Sequence, residues 1–434
     1  QIGSTLSTAN RTSLTTAGGD IYFYAPTLGV QFNKTDLASN GGLIGAGGGY
    51  SVQAGFPVQS SAGTGLQILN GTRIDAGTGN VNLQGSTTQG NGIAVQDAVA
   101  LGGELHLEGT TSGTGSGIRI DNAALTSNGN LYARGHVTDS GNGSGVSIQS
   151  ANILSQGGGF FIVSGYNAGA GDGVNIQSSA ILSKSDTQFA GYLASGHVTI
   201  GASTSVNAGT SGAGHIHVRS ELGNIQIGST LSTADPTWLN TSGGSINIVA
   251  PTLGVQINKT NISSNGGSIY SQAGNTINDP NGLPIQAMGT GLRIQNGTQI
   301  HAGTGNVTLN GSAAQGNGFT VQDSTALSGS NVHLNGNTSG AGDGVLINNG
   351  ASLTGSGALN INGNQFSSQG VGIMLDNANI TRTSSVQLRG DAKNSDGSGV
   401  LLQGSQAYID AGTATVSITG RSSTGPGVKI SGDL

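Results

Sequence analysis

The chain has 434 residues, of which 80 are glycine, 8% charged, 4% aromatic and none cysteine, with a formal net charge of −6. Without cysteine no disulfide framework can hold it together, and a mild acidic balance with no basic patch excludes the usual electrostatic approach to nucleic acid. No stretch resembles a signal peptide or a membrane span.

The chain opens on QIGSTLSTA, which also occurs inside a later repeat, so the expectation is a fragment of a longer protein. In IYFYA, Tyr22 and Tyr24 flank an inward Phe23. Two rings on one strand face can hold a sugar or simply stabilise strand pairing. Residues 63–85 then set the pattern for the rest of the chain. Leu66 and Ile68, Ile74 and Ala76, and Val81 and Leu83 each alternate with polar neighbours, and Gly, Asn and Thr separate the runs. A period of two places the apolar side chains of each run on one face. Three runs joined by turns make one coil with three strands.

The coil recurs. Gly-x-Gly followed by an aliphatic residue stands at Gly63, Gly90, Gly115, Gly143 and Gly171, and again from Gly289 to Gly425. The spacing of about 25 to 28 residues is typical of solenoids. Each coil closes on a phrase such as NVNLQG, ELHLEG or NLYARG. A longer repeat lies above the coils. Residues 1–42 and 226–267 align without a gap, with about 29 of 42 positions identical. This divides the chain into a first copy, 1–225, and a truncated second copy, 226–434, expected to form one continuous rod. No helical period is visible. The expected fold is all-β: a single-stranded, right-handed parallel β-helix (solenoid) with about 27 residues and three short strands per coil. Glycine, Asn and Asp serve its corners.

Residues between the inward ones should form columns facing solvent. Three before the closing glycine, the first copy reads Asn82, His106, Tyr132, Ile162, with Phe160 two positions earlier. Tyr132, Phe160 and Ile162 thus form a candidate binding patch, unless the stretch Tyr166 to Gly171 covers it as a loop. In the second copy, Leu346, Met374 and Leu401 follow one another at the middle of the first strand, a candidate partner stripe. Trp238 lies in the turn-rich segment DPTWLN, either as an exposed anchor or as a plug over the core. His215 and His217 share a strand face, but zinc needs further ligands and none is evident, so no metal and no cofactor is expected. Glu108 and Arg134 should pair at the surface in adjacent coils. Only three glutamates occur, Glu104, Glu108 and Glu221, and Asp75, Asp97, Asp121, Asp323, Asp376 and Asp410 follow strands as turn residues do. A polysaccharide lyase or depolymerase on this fold would need clustered carboxylates, so an enzyme is not expected. GAGDG at Gly169 and Gly340 stands singly, whereas calcium-binding arrays need it in tandem.

Phrases such as GGSINIVAPTLGV, GNIQIGSTLST, GNVTLNGSAAQGNG and SGVSIQSANILSQGGG resemble the filamentous haemagglutinin-like exoproteins of two-partner secretion, the TpsA family. The resemblance covers the whole chain. It implies a secreted or surface-bound bacterial virulence protein, an adhesin exported through an outer-membrane TpsB transporter that would bind an amino-terminal domain not recognisable here. The implied ligands are host surface glycans or glycoproteins, or another bacterial surface filament. An inert spacer displaying distal domains is the alternative. Relatives in this family can be glycosylated, which draws attention to the sequons at Asn33, Asn70, Asn142, Asn258, Asn296, Asn306, Asn310, Asn337 and Asn379.

Overall fold

A computed structural model describes residues 1–3, 10–26, 28–53, 56–59, 65–139, 141–193, 196–210, 212–231, 233–278, 284–367, 369–393 and 396–431. Much of QIGSTLSTA and the Gly-x-Gly at Gly63 lie outside these. The described residues contain no helix; the strands form three parallel sheets stacked as a β-solenoid of about 27 residues per turn. The chain divides into two compact units, Gln1–Leu222 and Gly223–Leu434.

In the first unit a representative coil runs Ile93–Gln96, Val99–Gly102 and Leu105–Thr111, one strand for each sheet. The next coil, Ile118–Asp121, Ala124–Ser127 and Leu131–Val137, lies directly on it in parallel register, with Ile93 opposite Ile118, Ala100 opposite Leu125 and Leu105 opposite Leu131. The alternation sends Ile93, Val95, Ala100, Leu105 and Leu107 inward, each 0–1% exposed. Equivalent side chains stack coil upon coil, so burial of about 1.5–3 kcal/mol per large aliphatic side chain is shared between neighbouring turns. The second unit repeats the plan, for example with Val345–Asn348, Ser352–Gly355 and Leu359–Gln365.

The closing glycine is required for space. Gly109, Gly135 and Gly165 stand in register on the third sheet, each against the glycine that opens the next first-sheet strand. A Cβ on Gly135 would lie 1.8 Å from the Gly145 carbonyl oxygen. The third strand does not end at that glycine: it continues two residues further, through Val137 or Asn167. The corner between the first and second sheets is left-handed once per coil, at Lys34, Asn70, Asp97, Asn122, Ser150, Ser178 and Ser203 in the first unit. Asn and Asp tolerate this conformation, and their side chains add rungs: Asn122 Nδ2 donates to Asp97 Oδ1 at 2.6 Å. Asp75 and Asp410 cap turns by accepting from the amides of Gly77 and Gly412 at 2.9 and 2.8 Å.

Two features depart from the repeat. Each unit carries an antiparallel hairpin, Tyr50–Gln53 with Phe56–Gln59 and Asn275–Asn278 with Pro284–Met288. In the second, the Ala287 amide donates to Ser339 Oγ at 2.7 Å, holding the hairpin against the coils. The other departure is Arg382, an inward side chain only 1% exposed. The first unit keeps a serine column in register there, Ser127, Ser155 and Ser183; the second places Gly355 opposite Arg382. The glycine makes room, since a Cβ on Gly355 would lie 1.9 Å from Arg382 Nη1. That nitrogen donates to the Thr354 and Gly329 carbonyls, while Nε and Nη2 have no hydrogen-bond partner. Burial pulls the guanidinium down to about 10.

Candidate binding surface on the third sheet

The outer face of the third sheet in the first unit carries most of the exposed aromatic chemistry. Side chains at alternate positions of each strand form three parallel tracks. The first reads Asn82, His106, Tyr132, Ile162, Gln188 and His217, in unbroken register. The His106 and Tyr132 rings are 6.0 Å apart. Phe160 precedes the strand and is 49% exposed. Tyr132 and Ile162 thus stand in register and half-buried, with Phe160 two positions before Ile162 in the chain.

The third track is the one that sequence reasoning missed. Tyr166 is not in a covering loop; it belongs to the strand Phe161–Asn167 and stacks between His136 and Tyr192. Ring centroids are 4.4 Å and 4.6 Å apart, with interplanar angles of 3° and 13°. The rings stack along the coil direction, so their edges and the tyrosine hydroxyls form a wall. Burial holds the His136 imidazole below the ordinary histidine range, with Arg134 reinforcing the shift and Glu108 opposing it. Burial also raises the Tyr192 phenol, as do the nearby Tyr166 and Glu221. Both shifts favour the neutral forms of His136 and Tyr192 near pH 7.

Between these walls the middle track reads Glu108, Arg134, Ser164, Ala190 and Arg219. Ser164 and Ala190 are 8% and 0% exposed, so neighbouring side chains close over them, with Arg134 towards one end of the track and Arg219 towards the other. Glu108 and Arg134 stand in register but do not close to ion-pair distance, contrary to expectation; Arg219 pairs with Glu221 at 3.6 Å. An aromatic wall, an aliphatic and aromatic wall, small residues between and arginine at the ends can hold an extended polar chain by ring contacts and charge-assisted hydrogen bonds.

The other expected residues fall elsewhere. Tyr22 and Tyr24 are 55% and 65% exposed on the same sheet, with ring centroids 6.3 Å apart. They lie over Gly45 and Gly47 of the next coil, where a Cβ would come within 2.8 and 2.6 Å of the rings. Trp238 is not in a turn: it stands in the strand Thr237–Thr241 of the second sheet, 44% exposed beside Asn261, so it plugs nothing. Leu346, Met374 and Leu401 do stand in register on the first sheet, but half sunk, Leu401 being only 9% exposed. The His215 and His217 rings are 6.0 Å apart, and among the described residues no three His, Cys, Asp or Glu side chains group as a metal site.

The sequons divide sharply by burial. Asn33 and Asn258 are 0% exposed, so the folded chain presents neither to a transferase. Asn70, Asn142 and Asn306 are exposed, while Asn296, Asn310, Asn337 and Asn379 are half-buried. Asn310 and Asn337 also belong to amide ladders: Asn335 Nδ2 donates to Asn310 Oδ1 at 2.7 Å, Asn362 to Asn335 at 2.9 Å and Asn364 to Asn337 at 2.7 Å. No protein family, curated protein or solved structure matches the chain.

Proposed function

We propose that the chain is the shaft region of a bacterial surface adhesin that binds glycans along the third sheet of its first unit. The observation that carries this reading is the pair of outward tracks, Tyr132 with its neighbours and the His136, Tyr166, Tyr192 stack, on either side of a track with an arginine towards each end. Sugars present C–H faces and hydroxyls together, and aromatic edges, phenols and arginines answer both. Supporting it is the resemblance to two-partner-secretion exoproteins, from which secretion through a TpsB transporter and attachment to host glycans or glycoproteins follow as parts of the same proposal.

The test is a glycan array probed with the whole chain, unglycosylated, at several densities. Specific binding is expected, and it should fall at least tenfold with Tyr132→Ala and Tyr166→Ala together. The absence of binding at every density would overturn the proposal in favour of an inert spacer carrying other domains.

A further inference from the structure

We infer that the first sheet of the second unit holds a separate subsite for a carboxylate-bearing sugar, centred on Arg293. The site is an open cavity of about 290 Å³ lined by Gln226, Gln256, Arg293, Thr290, Gly254 and Gly291. That volume lies at the lower end of ligand pockets, of order 300 Å³, and suits a single sugar ring. Gln226, Gln256 and Arg293 face outward in register on three successive coils. The backbone is bare beside them, since Gly254 stands opposite Gly291 and a Cβ on Gly254 would lie 2.1 Å from Thr290 Oγ1.

The two units supply an internal comparison. In the first, the matching pair is Gln31 and Gln67, and Gln31 Nε2 donates to Gln67 Oε1 at 2.9 Å, closing the amides on each other. In the second, arginine replaces the second glutamine, and that lock is gone. Arg11, Arg73, Arg119, Arg219 and Arg389 each pair with a carboxylate. Arg293 is exposed and makes no ion pair and no side-chain hydrogen bond among the described residues. A guanidinium fork matches a carboxylate with two parallel hydrogen bonds. The surrounding amides and threonine hydroxyl offer donors and acceptors to ring hydroxyls, and among the described residues lining the cavity none is aromatic and the aliphatic ones, Ile225 and Val255, are buried. A uronic or sialic acid residue fits that combination. The inference rests on the glycan-binding reading above but concerns a different sheet and unit.

The experiment is titration of the whole chain with methyl glucuronide and, in parallel, methyl glucoside, followed by ligand-observed NMR at about 0.15 M salt. The glucuronide should bind and the glucoside should not. Arg293→Gln, which installs the first unit's own residue and should leave folding intact, should weaken glucuronide binding at least tenfold. Arg293→Lys should retain part of it, and Tyr132→Ala should leave it unchanged. Equal binding of both sugars, or glucuronide binding that survives Arg293→Gln, would overturn the inference. Loss with Tyr132→Ala alone would assign acidic sugars to the third sheet and leave only the shaft reading standing. Glucuronide binding at Arg293 with a blank glycan array would separate the two the other way.

Discussion

Single residues show where the repeat has been bent to other ends. Arg382 is a charge inside a column that the first unit fills with serine, and two of its guanidinium nitrogens are orphaned. A buried donor without a partner costs about 1–3 kcal/mol. Arg382→Ser, which puts the first unit's own residue at that position, should raise stability by roughly that amount in thermal unfolding; an unchanged or lower midpoint would contradict the assignment of cost to the orphaned nitrogens. His136 offers a second residue-scale test. Its folded pKa lies below the unfolded value of about 6.5, so its share of stability is complete above that pH and is lost as pH falls from there towards the folded pKa. An NMR titration of His136 should give a midpoint below the free imidazole's, and Tyr166→Ala should move it upward by restoring solvent. A midpoint at or above the ordinary value would contradict the buried stack.

At the scale of the strand, the closing glycine governs the coil. Gly135→Ala forces a Cβ into the Gly145 carbonyl, and overpacking of this kind typically costs about 1–3 kcal/mol. The same glycine explains what could and could not be read from sequence. Alternation and the Gly phrases place Gln67, Ala94, Arg119, Ser147 and Asn175 in one outward column, and the strands pair in that register. Treating the glycine as a strand end hid His136, Tyr166 and Tyr192, which lie just beyond it in the continuing strand. The hairpins were invisible for a different reason: antiparallel and parallel strands share the period of two. Trp238 was misplaced because Asp235 and Pro236 signal a turn, whereas the proline only precedes the strand. Arg382 was missed because a charge at an inward position contradicts the alternation that otherwise decides the reading.

Across the molecule, the proposed binding would use outward columns that the core leaves free to vary. Inward positions are held by packing and, Arg382 apart, keep the same apolar or small character in both copies, while their surfaces differ: aromatic tracks in the first unit, amide ladders and an unpaired arginine in the second. Sugar attachment should follow burial as well. Intact-mass and peptide mapping of protein from its native host should find glycans at exposed Asn70, Asn142 or Asn306 and none at Asn33 or Asn258, since a modified Asn33 would require the chain to be glycosylated before it folds. The central claim is that the third-sheet tracks of the first unit meet the ligand. It is tested most directly by labelling the 8 tyrosines with carbon-13 and titrating the whole chain with the strongest array glycan. Ring shifts are expected at Tyr132, Tyr166 and Tyr192. Shifts confined to Tyr22, Tyr24, Tyr270 or Tyr408, or no tyrosine shift during saturable binding, would contradict that claim.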